Sequence, residues 1–286
     1  WPCHVDNGGP WGGLGYDLGG DPRHCQWAID ELGTTRCFTG KPVEQGGTDY
    51  DVEGIAGLGV AVAARTMLEE TGSSAAASTC AVQGIGAMGA AVCRYASSDG
   101  MTVRYIADPR IGGCWRLESE FEGELRDAVI TMDFDLVKQH LEDGPHICMD
   151  LDDVLVQSVD VLFPCAVQYV ITESNADAIA ARTIVEGANN PCTEDARFDL
   201  HARGVTVVPD FISNPGGAIA AFVEMTSDIS NEENARTRGK VEEAKRFTED
   251  KVASNVRAML ELADSAGVDP VRAAMYLSYQ RVFGEG

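Results

Sequence analysis

Apolar positions along the chain change their spacing twice. After a glycine-rich opening over residues 1–20, Asp21 and Pro22 form a helix start that runs through CQWAIDEL to Gly33. A second irregular stretch, TGKPVEQGGTDYDVEG, leads into GLGVAVAARTMLEETG, an alanine-rich helix closed by Gly72. From there short runs rich in Val and Ile take over: STCAVQG, TVRYIAD, VDVLFPCA, RTIVEGA and VTVVPDF, each bounded by polar or turn residues, predict buried strands. Helical patterns fall between them in GAMGAAVCRYASSDG, FDLVKQHLEDG, SNADAIAA and EDARFDLHARG. This alternation predicts an α/β class with a doubly wound, Rossmann-like parallel sheet. Beyond NPGGAIAAFVEMTSD the strands stop. Residues 231–264 read as a long charged helix with apolar positions at Val241, Ala244, Phe247, Val252, Val256, Leu260 and Leu262, and DPVRAAMYLSYQRVF as a last helix with an Asp cap and Pro behind it.

Composition narrows the function classes. The chain has 286 residues, 22 Lys plus Arg against 45 Asp plus Glu, and a net charge of −23. Phosphate backbones and anionic membrane surfaces both demand clustered cations, so this balance argues against nucleic-acid and membrane partners. No run approaches the roughly 20 apolar residues needed to span a bilayer. With 44% hydrophobic residues and a mean hydropathy of −0.11 the chain is a folding one. Its acid is spread along the whole length, and Lys41, Lys138, Lys240, Lys245 and Lys251 are its only lysines, a usage resembling proteins of salt-loving organisms. Nine cysteines without a C-x-x-C pair fit a reduced, cytoplasmic setting.

The sharpest local signal is Gly84-Ile85-Gly86-Ala87-Met88-Gly89, between a predicted strand and a predicted helix. Gly84 permits the tight turn, Gly86 lets backbone approach a pyrophosphate, and Gly89 lets helix pack closely on strand, while the helix end offers free N–H groups to the phosphates. The following strand ends at Asp108, 19 residues past Gly89, where a carboxylate accepts bonds from an adenosine ribose. Without the glycines, Asp108 would be read as a strand-end turn acid; with them, the ribose role is the stronger reading. An Asp here repels the 2′-phosphate of NADP and favours NAD, and Arg110 two residues on keeps NADP open as the alternative. Ala87 and Met88 in the loop, Pro109 beside the acid and Ala166 at the end of VDVLFPCA complete this part of the candidate cofactor site.

Seven stretches in order, the glycine turn among them, resemble the glutamate/leucine/phenylalanine/valine dehydrogenase family: YDLGGDPRHCQWAIDELG, FTGKPVEQGG, AGLGVAVAAR, VQGIGAMGAAV, DVLFPCAVQYVITESNADAI, IVEGANNPCTEDA and VVPDFISNPGGAIAAFVE. The resemblance implies oxidative deamination of an L-amino acid to a 2-oxo acid and ammonia with hydride transfer to NAD(P), and a homo-oligomer for the full-length chain. It implies that Asp17, in YDLGGD, shuttles a proton at the substrate nitrogen, where the imine and carbinolamine steps require one. Asn189 of the E-G-A-N motif and Asn214 of the N-x-G-G motif match residues that hold the nicotinamide ribose and carboxamide or orient the substrate. Gly216, Gly217 and Ala221 match the substrate end.

The departures count as well. Ala56 stands where the family carries the Thr of A-T-G-x-G, and Ala221 where glutamate-specific members carry a Ser that partners the side-chain carboxylate. A buried substrate carboxylate without partners is costly, so a smaller or apolar amino acid is as plausible a substrate as glutamate. The family's catalytic lysine lies upstream of the proton-shuttling Asp, and Lys41 in TGKP belongs to a different motif. The expectation is therefore a carboxy-terminal portion of a longer enzyme, with residues 1–52 a remnant of the substrate domain, 53–213 the NAD(P)-binding domain, and 214–286 helices packing back across the cleft. The competing reading is a non-catalytic dinucleotide-binding protein that kept the fold and lost the lysines.

Overall fold

A computed structural model of the protein describes residues 14–15, 22–33, 38–41, 47, 50–226 and 233–284. Its centre is a seven-stranded sheet in the order β4-β3-β2-β1-β5-β6-β7, built from β1 (Thr79–Gln83), β2 (Thr102–Asp108), β3 (Gly113–Arg116), β4 (Ile147–Met149), β5 (Val161–Pro164), β6 (Thr183–Val185) and β7 (Thr206–Val208). The five strands expected from the apolar runs, β1, β2, β5, β6 and β7, are parallel to their neighbours in that group. The chain winds outward from β1 in both directions, to β2 on one side and β5 on the other, which makes a topological switch point between β1 and β5.

Two strands were not foreseen. After β2 the chain turns through Gly112 (φ 86°) and runs back as β3, antiparallel to β2, and β4 pairs antiparallel with β3 at the sheet edge. Neither lies in a run rich in Val and Ile: β3 is Gly-Cys-Trp-Arg, and β4 is Ile-Cys-Met with its first two residues exposed, so neither reads as a buried strand.

The helices are α1 (Pro22–Leu32), α2 (Tyr50–Glu53), α3 (Ile55–Glu70), α4 (Ala87–Ser98), α5 (Gly123–Ile130), α6 (Phe134–Asp143), α7 (Glu194–Ala202), α8 (Asp210–Ser213), α9 (Gly216–Thr226), α10 (Glu233–Ala266) and α11 (Pro270–Phe283). SNADAIAA, expected as a helix, makes only the single 3₁₀ turn Ala176–Ala178. The Asn175 side chain there accepts from the Thr172 N–H and donates to the Val170 carbonyl. Local side-chain bonds of this kind compete with helix propagation.

Both faces of the sheet are covered, and residue alternation along each strand decides which face a side chain joins. Cys80 and Val82 of β1 and Val161 and Phe163 of β5 pack with Leu58 and Val62 of α3, Val92 of α4 and Val252 and Val256 of α10. The intervening Ala81 and Leu162, with Ile184 of β6, pack on Ala196 and Leu200 of α7. Phe163 is fully buried, worth roughly 1.5–3 kcal/mol in transfer alone, and truncating it to Ala would cost about 3–5 kcal/mol. Glycines bring α3 close to its neighbours: a Cβ on Gly57 would lie 2.4 Å from the Ala91 Cβ of α4, and one on Gly59 would lie 2.9 Å from the Ser213 carbonyl oxygen. The glycines of AGLG thus have a packing reason. Among the described residues no helix is long and apolar enough to cross a membrane.

Candidate functional site

The switch point is closed by two bonds from the strand after it to the last residue of β1. The Cys165 N–H donates to the Gln83 carbonyl at 2.8 Å, and the Ala166 N–H donates to the Gln83 side-chain oxygen at 3.2 Å. Above them the chain leaves β1 through Gly84, whose φ of 84° belongs to the left-handed region, and a Cβ there would strike Ala166 at 2.6 Å. Gly86 is the residue before α4, and Ala87, Met88 and Gly89 form its first turn. A Cβ on Gly89 would sit 1.7 Å from the Gly84 carbonyl oxygen, so that glycine is required by the turn itself. A Cβ on Gly86 would meet only the Arg110 guanidinium, at 3.4 Å. Gly86 therefore has little internal reason to be glycine and faces open space at the helix end. The first-turn N–H groups of α4 have no carbonyl one turn back to bond, which suits them to an anion.

Asp108 ends β2 beside this turn and is 3% exposed. One carboxylate oxygen accepts the Ile85 N–H at 3.1 Å and Arg110 Nη2 at 2.7 Å; the other accepts Arg110 Nε at 2.7 Å and the Arg110 N–H at 3.0 Å. The Arg110 guanidinium in turn stacks over the Phe134 ring, 3.6 Å from its centroid. Burial pushes the Asp108 carboxyl up, but the Arg110 guanidinium and the N–H groups of Arg110 and Ile85 outweigh it and hold the group below the ordinary carboxylate value. The ribose-binding oxygen expected of Asp108 is thus already engaged inside the protein. Half of the Arg110 side chain remains exposed. Pro109 is exposed beside it.

On the other side of the switch point, Asn189 and Asn214 come to the same carboxyl edge of the sheet, on the loops after β6 and β7. The Asn214 side-chain amide donates to the Gly187 carbonyl at 2.7 Å, so the two expected asparagines are tied through the E-G-A-N turn. Asn189 is exposed and Asn214 half-buried. Met88 reaches across from the glycine turn: a Cβ on Gly187 would lie 3.3 Å from the Met88 Cγ and 2.6 Å from the Cys165 sulfur. Gly216 is small because α9 starts against α3; its Cβ would lie 2.3 Å from the Ile55 carbonyl oxygen and 2.8 Å from the Ala56 Cα. Gly217 has nothing within 4 Å, and Ala221 is half-buried one turn further along α9. Asp17 lies outside the described residues.

Two buried ion pairs were missed in the sequence. Glu186 is fully buried and pairs with Arg197. Burial pushes its carboxyl above the ordinary value against the pull of Arg197. An acid inside the apolar run RTIVEGA was the available signal. Lys41 and Glu224, 6% and 3% exposed, form a second buried ion pair, and Lys41 Nζ also donates to the Phe38 carbonyl at 2.6 Å.

Sheet order, switch point and glycine turn together define a Rossmann-type α/β fold of the dinucleotide-binding kind. The sequence profile of the Glutamate/Leucine/Phenylalanine/Valine dehydrogenase family matches residues 46–285, and the chain belongs to that family. It is 32% identical over 220 residues to the NAD-specific glutamate dehydrogenase A of Halobacterium salinarum, covering 75% of this chain and 49% of that protein. It is 31% identical over 255 residues to the glutamate dehydrogenase of Aeropyrum pernix, covering 85% and 57%. Among solved structures, the hetero-hexameric glutamate dehydrogenase of Thermus thermophilus in its leucine-bound form superposes with a TM-score of 0.74 at 26% identity, over 94% of this chain and 62% of that one. The chain spans about half to three fifths of the length of these relatives.

Proposed function

We propose that the chain is the dinucleotide-binding portion of an NAD(P)-dependent L-amino-acid dehydrogenase of the glutamate dehydrogenase type, converting an amino acid to a 2-oxo acid and ammonia. The observation that carries this reading is the meeting of the Gly84–Gly89 turn with Asn189 and Asn214 along one carboxyl edge, on both sides of the switch point. The pyrophosphate would lie on the first-turn N–H groups of α4, with Gly86 giving it room. The nicotinamide end would extend towards Asn189 and Asn214, which would orient it. Bound there, the nicotinamide supplies a hydride acceptor.

The relatives include an NAD-specific enzyme and NADP-dependent ones, in keeping with NAD as cofactor and NADP as the alternative. Asp17 is the proposed proton carrier at the substrate nitrogen. Gly217 and Ala221 would border the substrate, with Ala221 withdrawing a hydroxyl from any side-chain carboxylate. Residues 1–52 would belong to the substrate-binding half, 53–213 to the cofactor half and 214–286 to the cleft-crossing helices, in a full-length homo-oligomer. Ala56 and Ala221 favour a second reading, a binding protein without turnover.

Calorimetric titration with NADH and NADPH, followed by an amino-acid panel read at the NADH absorbance, tests both. Binding with turnover that Asp17→Asn abolishes supports the enzyme. Binding without turnover in the full-length protein supports the second reading. Absence of binding overturns both.

A further inference from the structure

The loop that carries Asn189 has no helix or strand of its own, yet it is held on every side. Gly187 and Ala188 both donate N–H bonds to the Pro164 carbonyl, at 3.1 and 2.9 Å. The Asn190 N–H donates to the Asp210 carboxylate at 2.8 Å, and Asn190 adopts the left-handed region with φ 46°. Between these anchors Asn189 projects outward, exposed, on a backbone fixed before and after it.

The anchors converge on one residue. The Glu186 carboxylate accepts Arg197 Nε at 3.0 Å and Nη2 at 2.6 Å from α7, and the Asp210 N–H at 2.9 Å from the start of α8. Its own carbonyl accepts the Ser213 hydroxyl. The next residue, Gly187, accepts the Asn214 amide. Glu186 therefore sits behind both asparagines: through Asp210 it fixes the far side of the Asn189 loop, and through Ser213 and Gly187 it fixes the segment that ends in Asn214. A neutral apolar residue could fill the same space, but it would leave Arg197 and the Asp210 N–H without this acceptor. A two-oxygen acceptor facing a bidentate cation has one preferred geometry, which transmits position as well as packing.

We infer that Glu186, paired with Arg197, is the positioning residue for the nicotinamide end of the cofactor, setting Asn189 and Asn214 together without touching the cofactor. The inference rests on the dinucleotide reading above and concerns only that end of the ligand. The adenosine and pyrophosphate would lie across the switch point, on the glycine turn and α4, to which the bonds of Glu186 with Arg197, Asp210 and Ser213 do not reach.

That division gives the test. NADH and ADP share the adenosine and the pyrophosphate, and only NADH carries the nicotinamide and its ribose, so their affinities for the whole chain, measured by calorimetry, separate the two ends. Glu186→Gln keeps the shape and removes the charge, and Arg197→Lys keeps the charge and removes the paired geometry. Both are expected to weaken NADH about tenfold, the loss of a displaced amide bond or two, while leaving ADP within about twofold. Should Glu186→Gln fail to fold, Arg197→Lys is read by the same ratio, with its folding checked by thermal denaturation. An equal loss for both ligands, or no loss for either in a folded variant, overturns the inference and leaves the cofactor reading standing. A wild-type chain that binds neither ligand overturns the cofactor reading and this inference with it. Wild type that binds NADH no more tightly than ADP overturns the positioning role alone.

Discussion

Asp108 grips Arg110 side-on, through Nε to one oxygen and Nη2 to the other, both at 2.7 Å. A carboxylate so engaged is a poor acceptor for a ribose hydroxyl and a good clamp for a cation. The clamp and the Phe134 ring fix the guanidinium at the edge of the glycine turn, within 3.4 Å of where a Gly86 Cβ would stand. Half of the Arg110 side chain is exposed there, which leaves guanidinium donors free of Asp108 for a group bound at this edge. Arg110→Ala is therefore expected to lower the affinity ratio of NADPH to NADH by about tenfold, in line with loss of one charge-assisted bond to a 2′-phosphate. Parallel fluorescence titrations of the two reduced cofactors measure it; an unchanged ratio shows that Arg110 serves only to hold Asp108.

The same pair makes a prediction in pH. Asp108 titrates below its ordinary value in the folded protein, so the unfolded state takes up its proton first as the medium is acidified. Its stabilising contribution is complete above the unfolded value, about 4, and disappears as pH falls through the lower folded one. Urea midpoints should therefore fall over that window, and Asp108→Asn should be less stable than wild type at neutral pH yet lose less on acidification. Parallel pH curves for the two proteins would remove Asp108 from the explanation.

How much of this was legible beforehand follows from how far each signal reaches along the chain. The five parallel strands and the glycine turn lie within continuous stretches, so period and spacing expose them. The order Asn189 and Asn214 keep in the sequence likewise told which loops carry them. The side-on clamp of Arg110 onto Asp108 did not show, because adjacency in sequence does not reveal whether an acid points to ligand or neighbour. Glu186 and Arg197 are 11 residues apart and meet only because α7 folds back over β6. Lys41 and Glu224, separated by 183 residues, carry no local signal at all. The expected helix in SNADAIAA failed for the opposite reason: Asn175 offers its own turn bonds, which a count of apolar positions ignores.

The glycines of the turn divide into two kinds that an alanine scan will separate. Gly89 is held by the chain's own backbone, 1.7 Å from a would-be Cβ, whereas Gly86 meets only the tip of a half-exposed arginine. Gly89→Ala is expected to destabilise by several kcal/mol, about 3 or more, because backbone atoms must move. Gly86→Ala should change stability by less than about 1 kcal/mol, within the range of a benign surface change, and still weaken NADH at least tenfold by crowding the pyrophosphate. Thermal midpoints and NADH titration on both variants decide the matter. A Gly86→Ala protein that binds normally would remove the turn from the cofactor site.

The Lys41–Glu224 pair joins a segment near the start of the described chain to α9, three residues beyond Ala221. Both side chains are nearly inaccessible, and the Gly40 N–H adds a bond to Glu224 at 3.1 Å. Two charges removed from water contribute little net when paired and are costly when one is deleted. Lys41→Met should therefore lower stability by about 3–5 kcal/mol, while the double variant Lys41→Met, Glu224→Met should recover most of that loss by replacing the ionic contact with an apolar one. Urea denaturation of the two single variants, the double variant and wild type closes the cycle. A coupling energy below about 0.5 kcal/mol would mean that the two residues are independent and that their ion pair does not hold α9 to this segment.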